Sequence, residues 1–206
     1  YWNRYPGARC DVPSMEYSFS FSSELQQEWR WTEVMAAQPE ILDYANHIAE
    51  RFDLRSDIEF STRVVSAYFL DADQRWQIAT DTGRQYEARF CVMATGCLSV
   101  PNTPKIEGAE HFAGDIFHTG NWPAEGVDFS KRRVGIIGTG SSAIQAIPVI
   151  AEQAQHLTVF QRTPNYTMPA HNRPLTDDFR QKAINNYDDI RQQQRESMTG
   201  IVGYGF

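Results

Sequence analysis

Two sets of residues in this chain have the chemistry to hold a phosphorylated nucleotide. The first is Gly138-Thr139-Gly140-Ser141-Ser142-Ala143, a G-x-G-x-x-A run. Its first glycine permits a tight turn out of a strand. The second lets a pyrophosphate approach the backbone, and the small third residue lets helix and strand pack closely. Free N–H groups at a helix start, with the positive end of its dipole, attract phosphate. The second set is Arg162-Thr163. A site for NADH places Asp or Glu near this point to bond the ribose 2′-hydroxyl. Here Arg162 offers a planar fork suited to a 2′-phosphate, and Thr163 adds a hydroxyl donor. The pair predicts NADPH. The plainer alternative is a solvated arginine at a strand end.

These residues need a β-α-β unit to position them, and the pattern supplies one. Arg133–Gly138 reads as a strand, Ser141–Gln153 as a helix and Leu157–Gln161 as a second strand, the context the glycine motif requires. Pro148 lies inside the helix and should cost it a hydrogen bond and kink it. Upstream, Val64–Leu70, Trp76–Thr80 and Tyr86–Val92 are β-rich with short turns between them, which predicts an antiparallel meander. Phe90-Cys91-Val92-Met93-Ala94 is continuously apolar and reads as a buried strand. It runs into Thr95-Gly96, where backbone can approach a ligand.

The remaining segments are more ordinary. Pro39 opens a helix whose apolar side is Ile41, Ala45, Ile48, Ala49 and Phe52. Residues 1–35 read as an irregular stretch rich in aromatics, either lining a ligand or packed down by its own rings. Pro101-Asn102-Thr103-Pro104 resists regular structure and is the expected hinge between domains. Leu175–Arg195 reads as one charged helix with Phe179, Ala183, Ile184, Tyr187 and Ile190 as its apolar side.

Composition narrows the class. The chain has 206 residues and a net charge of −7, which argues against nucleic acid as the main partner. Cys10, Cys91 and Cys97 lack metal-type spacing and read as reduced thiols of a cytoplasmic protein. No metal site and no membrane span are expected. The chain opens at Tyr1-Trp2-Asn3-Arg4 without an initiator Met and closes on Gly203-Tyr204-Gly205-Phe206. A piece of a longer protein is therefore expected.

Phe112-Ala113-Gly114-Asp115-Ile116-Phe117-His118-Thr119-Gly120-Asn121-Trp122-Pro123 fits F-x-G-x-x-x-H-x-x-x-W-P. This resembles the fingerprint of Baeyer–Villiger monooxygenases. Trp2 to Asp11 is similar to that family's flavin-lining segment, Ala94-Thr95-Gly96 to its A-T-G turn, and Gln161-Arg162-Thr163-Pro164 to its NADPH-binding strand end. The resemblance implies an α/β flavoprotein with two dinucleotide-binding domains, Rossmann-like with an antiparallel meander, here incomplete. It implies a partial FAD-binding domain over 1–104, a partial NADP-binding domain over 105–170 and the start of a helical insertion over 171–206.

The resemblance also implies roles for matched residues. Trp2, Asp11, Tyr17, Val64 and Gly96 would meet FAD. Arg9, Cys10, Gly138, Thr139, Gly140, Ser141, Ser142, Ala143, Gln145, Arg162 and Thr163 would serve NADPH. Asp11 would help position a catalytic arginine, and His118 would couple NADPH binding to the flavin site. Outside its motif His118 would read as a structural histidine. The reaction implied is insertion of one oxygen atom from O2 beside the carbonyl of a small ketone, giving an ester or lactone.

Two departures limit this. The family's N-terminal FAD-binding G-x-G-x-x-G unit and its catalytic arginine have no counterpart in the chain, so the isolated piece is expected to be inactive. The rivals are an N- or S-oxidising flavin monooxygenase, whose fingerprint typically lacks Trp-Pro, and a non-catalytic NADP(H)-binding module. Disulfide reduction is disfavoured, because no paired redox cysteines occur.

Overall fold

The computed structural model describes residues 3–202, so the expectation for Trp2 lies outside the described residues. The fold is α/β. The chain divides into two compact units, residues 46–99 and residues 1–45 with 100–206.

The smaller unit is the expected meander. Strands β1 (Val64–Leu70), β2 (Arg75–Thr80) and β3 (Gln85–Ala88) pair antiparallel in the order β1-β2-β3. Phe69 stands opposite Trp76 in the register, with ring centroids 5.5 Å apart. Tyr86 of β3 donates from its hydroxyl to Glu59 Oε1, which also pairs with Arg84 at 3.0 Å. The hydrogen bond from Tyr86 and the charge of Arg84 lower the Glu59 pKa.

One expectation fails here. Phe90–Ala94 forms no strand, and Phe90, Val92 and Met93 are 78%, 87% and 63% exposed. A strand needs neighbours to satisfy its backbone groups. Among the described residues none pairs with this run, so its apolar character alone does not make it a strand.

The larger unit contains the expected β-α-β element. β4 (Arg133–Ile137) and β5 (His156–Phe160) pair parallel, with Val134 opposite Leu157 and Ile136 opposite Val159. Between them α4 (Ser141–Gln153) packs Ala146 and Ile150 onto Phe129. Val134, Ile136 and Leu157 of the two strands join this cluster, and so does Trp122. The helix runs through Pro148 to its C-terminal bond, Ala154 N–H to Ile150 O at 2.9 Å. The proline removes one donor but does not end the helix.

The same unit has an aromatic and helical core that differs from the expected irregular stretch. Residues 1–35 contain two short helices, α1 (Ser14–Tyr17) and α2 (Ser23–Glu28), the latter capped by Ser22 Oγ accepting from Leu25 N–H. Trp31 and Leu25 are almost fully buried, and the Trp31 and Tyr44 rings lie 4.8 Å apart. Tyr44 belongs to α3 (Gln38–Arg51), which carries Pro39 in its first turn. Its buried residues are Tyr44 and Ile48, while Ala45 of the expected apolar side is exposed. The single helix expected over 175–195 is two, α5 (Asp177–Asn185) and α6 (Tyr187–Glu196), broken at Asn186 with φ −120° and ψ 14°. Ala183, Tyr187 and Ile190, all on the expected apolar side, are buried on either side of this break.

Candidate functional site: a dinucleotide loop and its supports

The glycine loop has the geometry its sequence demands. Gly138 sits at φ +103°, a region that disfavours side chains, and donates its N–H to Phe160 O at 2.8 Å. Gly140 is the N-cap of α4 and supplies no side-chain cap. The N–H groups of the first turn have no partner within a helix. A Cβ at Gly138 or Gly140 would meet nothing within 4 Å, so open space lies before these donors. The close approach of the two strands shows earlier, in β4, where a Cβ on Gly135 would come 3.3 Å from the Phe160 ring.

Arg162 and Thr163 follow β5 and are exposed. Among the described residues Arg162 makes no ion pair, so its guanidinium is free to take an anionic ligand. Two residues outside the glycine motif hold this strand end against the loop. Gln161 Nε2 donates to Thr139 Oγ1 at 3.0 Å, and Asn165 Nδ2 donates to Thr139 O at 3.3 Å. Both bonds span more than 20 positions, so no local pattern announces them.

Of Arg9 and Cys10, both expected on the NADPH side, Arg9 lies against α4, while Cys10 bonds to Ala36 and Ser14. Gln145 Oε1 accepts from Tyr5 Oη at 2.9 Å and from the Arg9 N–H at 3.2 Å, and Gln145 Nε2 donates to Arg9 O at 3.1 Å. Gly7 touches the same helix: a Cβ there would sit 2.3 Å from Gln145 O. The Arg9 guanidinium turns away to Glu33 Oε2 at 3.0 Å and Met35 O at 3.3 Å. Glu33 also accepts from Asn172 Nδ2, whose Oδ1 accepts from Met35 N–H at 2.8 Å. Cys10 is buried, and burial pushes its thiol pKa up. That thiol is a packing group rather than a nucleophile.

The fingerprint is a packed turn on this same unit. The Phe112 ring lies over Gly114, where a Cβ would meet two ring carbons at 2.7 Å. Asp115 pairs with Arg132 at 2.6 Å, just before β4. His118 Nδ1 accepts from Gly120 N–H at 3.0 Å, which leaves the ring proton on Nε2. Trp122 lies between Phe117 and Phe129, with centroids at 5.7 Å and 6.1 Å, and so joins the core under α4. Pro123 accepts from Gly126 N–H at 3.2 Å through its carbonyl.

The residues expected to meet FAD divide between the units. Asp11 and Tyr17 belong to the larger and are exposed; Val64 and Gly96 belong to the smaller, with Val64 57% exposed and Gly96 at φ +72°.

The family model described as "Pyridine nucleotide-disulphide oxidoreductase" matches residues 14–202. The chain belongs to this family. Within it the similar proteins are monooxygenases by name. A Baeyer-Villiger monooxygenase of Pseudooceanicola batsensis is 44% identical over 206 residues, covering all of this chain and 37% of the relative. Cyclohexanone 1,2-monooxygenase of an Acinetobacter species is 42% identical over 91% of this chain and 34% of its own length. Phenazine N-monooxygenase of Lysobacter antibioticus is 40% identical over 96% of this chain and 36% of its own length. Among solved structures, an oxidized steroid monooxygenase bound to NADP superposes with a TM-score of 0.92 at 57% identity, over 98% of this chain and 38% of that one. The chain thus spans a little over a third of the length of the relatives it matches.

Proposed function

We propose that this chain is part of an FAD- and NADPH-dependent Baeyer–Villiger monooxygenase. The whole enzyme inserts one oxygen atom of O2 beside the carbonyl of a small ketone and releases an ester or lactone. The observation that carries this reading is the seating of Trp122. Trp122 of the fingerprint packs into the same cluster as α4, the helix that starts at the dinucleotide loop, as a coupling segment would.

The residues present suit both cofactors. The open space before Gly138 and Gly140 and the uncapped start of α4 fit a pyrophosphate. Gly138, Thr139, Gly140, Ser141, Ser142 and Ala143 would hold it, while Arg162 and Thr163 take the 2′-phosphate. Trp2, Asp11, Tyr17, Val64 and Gly96 would line FAD; the exposed Asp11 and Tyr17 and the φ +72° of Gly96 suit a ligand approaching backbone. When bound, the two cofactors supply hydride transfer and oxygen activation. The chain's own part is to bind, orient and exclude water. Arg162 selects NADPH, Asp11 positions a catalytic arginine, and His118 relays nucleotide binding through its turn. On this reading residues 1–104 serve FAD, 105–170 serve NADPH and 171–206 begin a helical insertion.

Disulfide exchange, despite the family's name, is not proposed. Cys10, Cys91 and Cys97 are all free, and the buried Cys10 thiol has a raised pKa. A net charge of −7 does not suit a nucleic-acid partner. Among the described residues no helix is long and apolar enough to cross a membrane; the cytoplasm is the compartment proposed.

The test is product analysis with isotopically labelled O2, using the polypeptide that carries this chain, NADPH and cyclohexanone. One labelled oxygen in a ring-expanded lactone is expected. Amine or sulfide oxides without any lactone would favour the N- or S-oxidising reading, which the phenazine N-monooxygenase likeness keeps in view. Tight NADP binding with neither product would favour a non-catalytic module.

A further inference from the structure

We propose that Gln145 is a positioning residue rather than a nucleotide ligand: it locks the Tyr5–Asp11 segment to the helix that starts at the dinucleotide loop, so that nucleotide binding is felt at Asp11. The proposal rests on reading that loop as the NADPH site.

The amide of Gln145 has one possible orientation. The Arg9 N–H can only donate and the Arg9 carbonyl can only accept, so Oε1 must face the first and Nε2 the second. The side chain thereby imitates a strand neighbour for a single residue. Tyr5 Oη completes the set on Oε1. With two donors on Oε1, that atom has no lone pair left for a ligand. Only one N–H of Nε2 remains, on a half-buried side chain.

A second contact points the same way. Gly7 is pressed against the backbone of the same residue, at φ +76°, with no room for a Cβ beside Gln145 O and Val149. The segment therefore touches α4 through both the backbone and the side chain of Gln145. Gln145 lies one turn beyond Ser141, inside the first two turns of a helix whose N–H groups would face the pyrophosphate. On the other side, Cys10 N–H donates to Ala36 O at 3.0 Å, and Asp11 follows as an exposed residue. Among the described residues no side-chain bond fixes Asp11, so its place is inherited from Arg9 and Cys10. A shift of α4 on nucleotide binding reaches Asp11 through Gln145.

The test is backbone amide exchange of the polypeptide that carries this chain, with and without NADP+, in wild type, Gln145→Met and Gln145→Glu. Methionine keeps the volume and removes all three bonds. Glutamate keeps the acceptor and loses the donor to Arg9 O, so it serves if methionine fails to fold. In wild type, NADP+ is expected to slow exchange across Tyr5–Asp11 by about tenfold or more, a coupling within the usual range. In Q145M that protection is expected to vanish while the NADP+ dissociation constant moves by less than about threefold; Q145E should fall between. Protection that persists in Q145M would overturn the proposal. So would an affinity loss of about tenfold or more, because it would make Gln145 a direct ligand. Failure of the wild-type chain to bind NADP+ would instead sink the nucleotide reading. The lock itself would then stand on faster Arg9 exchange in nucleotide-free Q145M, and fall without it.

Discussion

Gln161 donates to Thr139 across the mouth of the dinucleotide loop, Nε2 to Oγ1 at 3.0 Å. The bond joins the first residue after β5 to the residue between the two loop glycines. It ties the strand end that carries Arg162 to the loop whose N–H groups are proposed to hold a pyrophosphate. Asn165 reinforces it from the other side of Arg162 by donating to Thr139 O. A 2′-phosphate and a pyrophosphate hang from the same ribose, so their separation on the ligand is bounded. Reading both at once is helped when their protein partners are held at a matching separation.

Arg162→Ala is accordingly expected to weaken NADPH binding by about 10- to 100-fold, the worth of charge-assisted hydrogen bonds at about 1.5–3 kcal/mol. NADH, which lacks the phosphate, should bind as before. Titration of both nucleotides by fluorescence checks this, and an equal loss for the two would remove the 2′-phosphate assignment.

Gly7 and Gly114 make opposite predictions from similar-looking clashes. A Cβ at Gly7 meets the Gln145 carbonyl at 2.3 Å, and the backbone lies at φ +76°. Neither can move without shifting a helix, so Gly7→Ala should cost about 2–4 kcal/mol in urea unfolding. A Cβ at Gly114 meets only the Phe112 ring, which is 62% exposed and can swing aside. Gly114→Ala should cost less than about 1 kcal/mol, and Phe112→Ala in the same chain should remove most of that. A larger loss at Gly114 than at Gly7 would mean that the fingerprint turn is held more rigidly than its contacts indicate.

What is legible in the sequence follows from the range of each interaction. The β4-α4-β5 unit and its loop are legible because glycine spacing, strand runs and helix start all lie within about thirty residues of sequence, the span of such a unit. The meander is legible for the same reason. What is not legible depends on distant partners. Gln145 meets Arg9 from 136 positions away, and nothing local to either residue marks the pairing. Phe90–Ala94 fails in the opposite sense. Its apolar run predicts burial, but burial is a property of neighbours. Asn186 breaks the last helix without glycine or proline, so no local signal in the sequence marks the break.

Arg191 supplies a prediction about the helical end of the chain. It is buried, and its guanidinium donates to Met15 O at 3.1 Å, Ser18 O at 3.1 Å, Ser18 Oγ at 2.8 Å and Gln26 Oε1 at 2.7 Å. It therefore caps the end of α1 and joins α1 and α2 to α6. Arg191→Met should strip the guanidinium donors from Ser18 O and Gln26 Oε1 in a buried site and cost about 3 kcal/mol. Arg191→Lys keeps the charge but cannot fork to four acceptors, so it should recover only part of the loss. Equal stability of R191K and wild type in urea would show that charge, not the fork, holds these helices.

Tyr187 gives the pH dependence. Burial raises its phenol pKa to about 12, and the nearby Arg191 charge and Ser18 hydrogen bond, which lower it, do not offset that. Tyr44 is raised as well, again chiefly by burial. An unfolded tyrosine ionises near pH 10. Below that pH both states hold the proton, and the stability associated with the buried neutral phenol is fully present. Between about pH 10 and pH 12 the unfolded chain loses its proton first, so the folded state is progressively disfavoured. A phenol held neutral up to about pH 12 in the folded chain implies a loss on the order of 3 kcal/mol across that window. Tyrosinate absorbance should therefore show a late component that coincides with unfolding. In Tyr187→Phe that component should disappear and the alkaline loss of stability should shrink. A Y187F variant with an unchanged alkaline unfolding profile would place the alkaline sensitivity elsewhere, with the buried Tyr44 as the next group to change.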